Sequence, residues 1–442
     1  MGDCRAPTPF RAVTRPLNEP LPDPILLKIQ FPFNNHVLAL VVASIPAGSA
    51  ASPAADWPGW RGPTRSGHAA ATEDPPVRWS ETENVVWRTP VPGRGHSSPT
   101  IAGVRIFLST ADESTGHQRV LCFDRATGRP IWDTVVHHGK IDPNLSRQSS
   151  HASPTIACDS ERLYASFFTD GGIHLSALDL SGRLLWQQHV SDFVTVRGYG
   201  ASPLFHDSLV IVNADHKGGG KLAAFEARTG VLRWEVARPA LQNYPSPVVM
   251  WFGGRAELFV AGCNLVASFA PLTGKRYWEA AGSTETTVST PVSDGRRIFI
   301  TGGFPKSHVA AIAANGSGEL LWQSNAGMYV PSLVVTEGHV FGVLDSGRAA
   351  CWNAETGVEL WRDKVNREVF SSPVVARGRI YVTGVDGVTT VLAADPRRLT
   401  VLAQNALGDE AYASPAIAGN RLFLRHAKKG EPRQEYLWCI GK

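Results

Sequence analysis

The stretch DRATGRPIW, residues 124–132, holds a Thr-Gly turn signal with a tryptophan four residues after the glycine. The same spacing recurs at Gly128/Trp132, Gly182/Trp186, Gly230/Trp234, Gly274/Trp278, Gly318/Trp322 and Gly357/Trp361. Because tryptophan is a rare residue, its recurrence in one frame indicates an internal repeat of about 40 to 55 residues.

A second series of motifs has the same period. Each is a small residue followed by proline, and the prolines are Pro99, Pro154, Pro203, Pro247, Pro291, Pro373 and Pro415. In one further copy, YVPSLVVT, the order is reversed and Ser332 takes the proline position. Alternating apolar runs follow each motif, and this alternation is typical of half-buried strands. Each repeat is therefore predicted to be a four-stranded antiparallel meander, the blade of a propeller.

The repeats close into a ring only if the two ends of the chain meet. The eighth repeat stops after its third strand, and the missing strand is found in ENVVWRTPV, residues 83–91, with Trp87 in the place of the repeated tryptophan. We therefore predict an all-β fold, an eight-bladed β-propeller over residues 81–442, closed by pairing the N-terminal strand with the last blade. The seventh repeat has Ala403 where a tryptophan is expected, so we expect this blade to pack more loosely.

The composition narrows the classes of function. The 442 residues carry a net charge of +4 with no basic run, so we expect no nucleic-acid partner. The 42 glycines, 31 prolines and 13 tryptophans suit short strands and tight turns. The six cysteines form no CxxC pair, and no metal site is predicted. Cys122, Cys351 and Cys439 lie in strand-like segments, where we expect buried thiols.

The N-terminal region contains an export signal candidate. VLALVVASI, residues 37–45, is too short to span a bilayer but fits the apolar part of a secretory signal, with small residues after it. We divide the chain into a leader (1–56), a Trp-rich extension (57–80) and the propeller (81–442). The leader predicts a soluble exported protein, periplasmic or extracellular, with no transmembrane segment after processing; a disordered N-terminal tail is the alternative. We also expect a monomer.

The string Asp-x2-Thr-Gly-x3-Trp, complete at Asp124, Thr127, Gly128 and Trp132, resembles the tryptophan-docking repeat of the pyrroloquinoline-quinone (PQQ) type β-propellers. The resemblance covers residues 81–442. It implies that each tryptophan packs against the neighbouring blade, a structural role for Trp87, Trp132, Trp186, Trp234, Trp278, Trp322 and Trp361. The family includes quinoprotein dehydrogenases, the outer-membrane assembly lipoprotein and exported propellers of unassigned function. DWPGWRGPTRSGHA, residues 56–69, is similar to the start of the last group, found in planctomycete-type bacteria.

A candidate binding surface emerges when the repeats are aligned on the proline position. The residue three positions earlier is aromatic or imidazole in six of eight copies, and the family topology places this position beside the central channel. With Tyr199 beside the glycine of the third copy, the candidate ring comprises His96, His151, Tyr199, Tyr244, Tyr329, Phe370 and Tyr412. These side chains would give stacking faces at a funnel mouth. The alternative is that they only separate neighbouring blades. The long connection 137–154 is expected to arch over the same face.

Two classes of function remain open. The first is a scaffold that binds a protein partner, a small molecule or a glycan at the funnel mouth. The second is a quinoprotein oxidoreductase of alcohols or sugars, in which PQQ with Ca²⁺ occupies the funnel. The family's dehydrogenases typically hold the cofactor between a tryptophan and a vicinal disulfide, and this chain has no Cys-Cys pair. The residues therefore favour the scaffold. They identify no catalytic residue. PQQ with Ca²⁺ is the one cofactor that the resemblance implies.

Overall fold

A computed structural model describes residues 56–142, 145, 148–195 and 197–442 of the chain. The leader assigned to residues 1–56 lies outside the described residues except for Asp56. The described residues form 32 strands in eight four-stranded antiparallel sheets, the eight blades of a propeller. The predicted fold is confirmed.

The first four blades follow the chain from the channel outwards. Their strands are β2 (Thr100–Ala102), β3 (Arg105–Asp112), β4 (His117–Asp124) and β5 (Pro130–His138); β6 (Ala157–Cys158), β7 (Arg162–Thr169), β8 (Gly172–Asp179) and β9 (Leu184–Asp192); β10 (Leu204–His206), β11 (Leu209–Ala214), β12 (Gly220–Glu226) and β13 (Leu232–Arg238); and β14 (Val248–Phe252), β15 (Arg255–Gly262), β16 (Leu265–Phe269) and β17 (Arg276–Ala281).

The last four blades continue in the same order, except that the eighth borrows its outer strand from the N-terminal side. Their strands are β18 (Val292–Ser293), β19 (Arg297–Gly302), β20 (His308–Ala313) and β21 (Leu320–Ser324); β22 (Val334–Thr336), β23 (His339–Val343), β24 (Arg348–Asn353) and β25 (Glu359–Lys364); β26 (Val374–Ala376), β27 (Arg379–Thr383), β28 (Val388–Ala393) and β29 (Val401–Ala406); and β30 (Ala416–Ala418), β31 (Arg421–Lys428), β32 (Gln434–Ile440) and β1 (Val85–Val91).

The ring closes through β1, which pairs antiparallel with β32 from Val85 opposite Ile440 to Val91 opposite Glu435. The core lies in the layers between neighbouring blades, where each sheet buries its apolar face against the next. All five described cysteines are buried and free, as expected for Cys122, Cys351 and Cys439.

The repeated tryptophans explain how neighbouring blades are joined. Trp132 donates its indole N–H to the carbonyl of Leu180 in the next blade, 3.0 Å away. A Cβ added to Gly182 would lie 2.7 Å from the same indole, so only glycine fits beneath the ring. Equivalent indole-to-carbonyl bonds are made by Trp87, Trp186, Trp234, Trp322 and Trp361.

Trp278 departs from this arrangement. Its indole N–H lies 3.3 Å from Oε2 of Glu257, a carboxylate in its own blade. The turn glycine of the next blade, Gly318, faces Ala280 more closely than it faces the indole. The indole of Trp278 therefore makes its hydrogen bond within its own blade, and Ala280 meets the turn of the fifth blade instead.

Candidate functional site

A cavity of about 440 Å³ occupies one end of the central channel. Its wall is formed by the segments that lead from the outer strand of one blade to the inner strand of the next. Aromatic and imidazole side chains form a large part of this wall, namely His96, Tyr199, Tyr244, Tyr329, Phe370 and Tyr412, with Trp60 from the Trp-rich extension. The volume lies within the range usual for small-molecule sites.

The structure brings six of the seven candidate ring residues to this cavity, and His151 is not among the lining residues. His151 is buried, with its carbonyl accepting a hydrogen bond from Gln118. Three other residues of the same connection, Gln148, Ser149 and Ser153, line the cavity. The connection therefore reaches the expected face, although not through the predicted histidine.

The proline alignment explains the misplacement of His151. In the first blade Thr100 pairs with Phe107, and Ser98 lies two residues before Thr100, next to the proline. In the second blade the equivalent pair is Ala157 with Tyr164. Thr155, two residues before Ala157, is therefore the counterpart of Ser98. The second copy is therefore displaced by two residues, and Ser153 is the counterpart of His96. The sixth copy is shifted by one residue as well. Ser332 is the counterpart of Ser98, whereas the sequence alignment places it opposite the proline.

Three candidate ring residues from adjacent blades stack on one another. The ring centroids of His96 and Tyr412 are 4.2 Å apart with planes 21° apart, and those of Phe370 and Tyr412 are 6.0 Å apart with planes 15° apart. All three side chains remain partly exposed. They join the seventh, eighth and first blades and also line the cavity.

His96 is electrically neutral at physiological pH. Burial, reinforced by the positive charges of Arg94, Arg425 and Arg433, holds the pKa of its imidazole well below the ordinary value. His96 therefore contributes a neutral ring to the cavity wall, and its Nε2 is a buried polar atom without a partner among the described residues.

Charged groups of opposite sign flank the tyrosines. The carboxyl of Asp345 accepts the backbone N–H groups of Tyr329 at 2.7 Å and Val330 at 2.9 Å, and burial raises the pKa of this carboxyl. Burial likewise raises the pKa of the phenols of Tyr244 and Tyr329, while the positive charge of the exposed Arg197 opposes that rise. Both tyrosines are therefore neutral hydrogen-bonding groups at physiological pH.

The sequence did not single out Asp345 or Arg197. Asp345 lies in the DSG turn between β23 and β24, where an aspartate is ordinary turn chemistry. Arg197 lies in the connection after β9, with nothing in its local sequence to distinguish it from other surface arginines. Only the closure of the ring places both beside the cavity.

A ring of hydroxyl groups runs around the base of the cavity. At seven junctions, a backbone N–H of one blade donates to a serine or threonine hydroxyl of the next over 2.8 to 3.1 Å. The hydroxyl ring consists of Ser98, Thr155, Ser202, Ser246, Thr290, Ser332, Ser372 and Ser414. The repeated serine before proline thus has a physical reason, because it provides an acceptor for a buried amide.

The floor of the cavity comes from the Trp-rich extension. Trp60 donates its indole N–H to the hydroxyl of Thr290 at 2.8 Å and contributes to the cavity lining. On either side of it, Trp57 exchanges two backbone hydrogen bonds with Ile101, and Ala69 donates to the carbonyl of Val375 at 2.8 Å. The extension therefore runs from the first blade across the channel to the fifth, on the opposite side of the ring, and then to the seventh.

The described residues offer no metal centre and no reactive thiol among the three strand cysteines. No group of three or more His, Cys, Asp or Glu residues suited to a metal ion is found among the described residues. Burial raises the pKa of the Cys122, Cys351 and Cys439 thiols to about 12, so these thiols are unreactive at neutral pH. Within the described residues, no helix has the length and apolar character needed to cross a membrane.

The eight-bladed fold and its docking tryptophans define a propeller of the PQQ type, and comparisons with known proteins specify the family. The family described as "Outer membrane protein assembly factor BamB" matches residues 68–192, 116–304 and 305–430. The chain therefore belongs to this PQQ-like propeller family.

Two named relatives align with this chain over most of its length. The outer membrane protein assembly factor BamB of Yersinia pestis is 24% identical over 77% of this chain and 86% of its own length. BamB of Bordetella pertussis is 22% identical over 72% of this chain and 77% of its own length.

Solved structures share the fold. BamB from Moraxella catarrhalis superimposes with a TM-score of 0.59 at 16% identity, covering 80% of this chain and 96% of that one. A europium-containing methanol dehydrogenase gives 0.62 at 12% identity, covering 86% of this chain and 90% of that one.

Proposed function

We propose that this propeller is a binding scaffold whose cavity receives an apolar, preferably aromatic, side chain of a protein partner. The observation that carries the proposal is the cavity itself, lined by six aromatic or imidazole residues of the wall and floored by Trp60. Aromatic side chains contribute large contact areas at little entropic cost, so they dominate the binding energy of many interfaces. Two further exposed apolar residues, Val194 and Phe304, lie in connections on the same side of the blades.

The family supports a protein as the partner. The relatives named above are described as assembly factors for outer membrane proteins, a role that consists of binding other proteins. By the same reasoning we propose that this chain is exported, with residues 37–45 as the apolar part of its signal. That segment lies outside the described residues.

The alternative is a calcium-bound quinone in the same cavity. Ca²⁺ takes six to eight oxygen ligands and favours carboxylates. Among the described lining residues the only carboxylate is Asp345, and both of its oxygens accept backbone N–H groups. This donor set does not fit a calcium–quinone centre, so we derive no redox step through it.

A binding experiment with three ligand classes tests the proposal. The purified protein is probed against an array of peptides taken from outer-membrane proteins, against a glycan array, and with PQQ plus Ca²⁺ in a thermal-shift and dye-linked dehydrogenase assay. We expect binding to peptides that contain aromatic residues, and loss of that binding in Tyr244→Ala and Tyr412→Ala.

The control variant is Trp251→Ala, which removes an aromatic side chain that is 66% exposed and lies at the far end of β14, outside the cavity. It should bind peptides as the unaltered protein does. Binding of glycans alone would replace the protein partner with a carbohydrate. A large stabilisation by PQQ and Ca²⁺ with turnover would overturn the proposal in favour of an oxidoreductase.

A further inference from the structure

The seventh blade lacks the tryptophan that the others use for docking. In the sixth blade Trp361 pairs with Cys351 and contacts Phe341 of the same blade, with ring centroids 6.1 Å apart. The counterpart of Trp361 in the seventh blade is Ala403, which pairs with Val391. The counterpart of Phe341 is Tyr381, because Val374 pairs with Tyr381 as Val334 pairs with Phe341.

Trp79 of the N-terminal extension occupies the vacant position. Its ring lies 6.4 Å from that of Tyr381, with planes 18° apart, and it is only 4% exposed. It belongs to the same apolar cluster as Ala403 and Val391. Its backbone is held on the outer strand by Asn405, whose side chain accepts the N–H of Trp79 at 2.9 Å and donates to the carbonyl of Val77 at 3.0 Å.

We propose that Trp79 is the docking tryptophan of the seventh blade, supplied from outside the repeat. Residues 57–79 then form a clasp that fastens the extension across the base of the channel. The looser packing expected of the seventh blade stays a prediction, and the position of Trp79 argues against it because the missing indole is replaced from elsewhere in the chain. The clasp places an indole beside the equivalent ring but in a different geometry, with planes 18° apart at Tyr381 against 53° for Trp361 and Phe341. It also lacks the hydrogen bond of the other blades, because Trp79 Nε1 has no partner among the described residues.

The clasp also connects the seventh blade to the cavity. Between its ends it contacts Cys158 in the second blade through Pro58, and Thr290 in the fifth blade through Trp60. Further along, the carboxylate of Glu73 accepts the N–H of Gly419 in the eighth blade at 3.0 Å. Since Trp60 forms the floor of the cavity, anchoring of the clasp by Trp79 keeps the channel closed at its base. This inference does not depend on what the cavity binds.

The stability part of the test is a four-variant cycle. Trp79→Ala should lower the Tm by on the order of 5 °C, because it leaves a hole beside Tyr381. Ala403→Trp introduced into Trp79→Ala should restore most of that loss, because the new indole fills the same space from the repeat's own position. Ala403→Trp alone should not stabilise the protein, since its indole competes with Trp79. Failure of Ala403→Trp to recover any of the loss would overturn the proposal.

Limited trypsin digestion, read by mass spectrometry, tests the anchoring part separately. Arg61 is 2% exposed in the clasp, so the bond after it should resist cleavage in the unaltered protein. Trp79→Ala should increase cleavage after Arg61 at least tenfold. The matched control Trp322→Ala removes an ordinary docking tryptophan and should lower the Tm without increasing this cleavage. Equal cleavage in the two variants would contradict a clasp anchored by Trp79.

Discussion

The backbone N–H of Ser414, in the eighth blade, donates to the hydroxyl of Ser98, in the first blade, over 3.1 Å. This bond joins the last repeat to the first at the innermost strands, while the pairing of β1 with β32 joins the outer strands. The propeller is therefore closed at both its inner and outer circumference.

Removal of the Ser98 hydroxyl should destabilise the closed ring. In Ser98→Ala the buried N–H of Ser414 loses its acceptor, which costs about 1 to 3 kcal/mol. Urea unfolding followed by fluorescence measures the change. The control is Ser317→Ala, at an exposed turn, which should change the free energy of unfolding by less than about 0.5 kcal/mol. Equal effects in the two variants would show that the hydroxyl ring does not stabilise the closed propeller.

Two glycines of the second blade distinguish the effect of contact with a docking tryptophan from the effect of backbone strain. Gly182 and Gly171 both have positive φ, +89° and +77°, but only at Gly182 would a Cβ meet an indole, at 2.7 Å. Gly171→Ala should cost about 1 kcal/mol from strain alone. Gly182→Ala should cost at least about 2 kcal/mol more, because the indole of Trp132 must move. Comparable losses in the two variants, measured by urea unfolding, would show that the indole does not enforce glycine.

The free energy of unfolding should fall as the pH is lowered below about 6.5, in part because of His426. Burial lowers the pKa of this imidazole to about 4 in the folded state, against 6.5 ordinarily. Between these values the unfolded chain takes up a proton that the folded chain does not, so the contribution of the neutral imidazole is complete above pH 6.5 and is lost towards pH 4. The loss from pH 7.5 to pH 5 is about 2 kcal/mol.

His426→Gln keeps a side-chain N–H that can reach the carbonyl of Leu407, which accepts from Nδ1 at 2.7 Å. Urea unfolding of this variant at pH 7.5 and pH 5 should show a smaller difference between the two pH values than the unaltered protein shows. An unchanged difference would mean that other groups produce the acid sensitivity.

The blade count, the strands and the closure could be predicted from the sequence because each depends on local spacing. The distance between glycine and tryptophan and the period-two alternation are properties of one repeat; the glycine–tryptophan spacing recurs in six of the eight copies, and the alternation recurs in all of them. The role of Trp79 could not be predicted, because its partners Tyr381 and Asn405 are more than 300 residues away in the chain. The cavity was predicted in outline, whereas His151 was misplaced because two extra residues shift the second copy relative to its proline.

The cavity is proposed to receive an aromatic side chain of a partner protein. Isothermal titration of the tightest peptide from the array into the unaltered protein, Phe370→Ala, Tyr412→Ala and Trp251→Ala tests it most directly. The account predicts at least tenfold weaker binding for the two cavity variants, as is usual when an aromatic anchor is truncated, and unchanged binding for Trp251→Ala. Equal affinity of all four proteins for the peptide would contradict the claim.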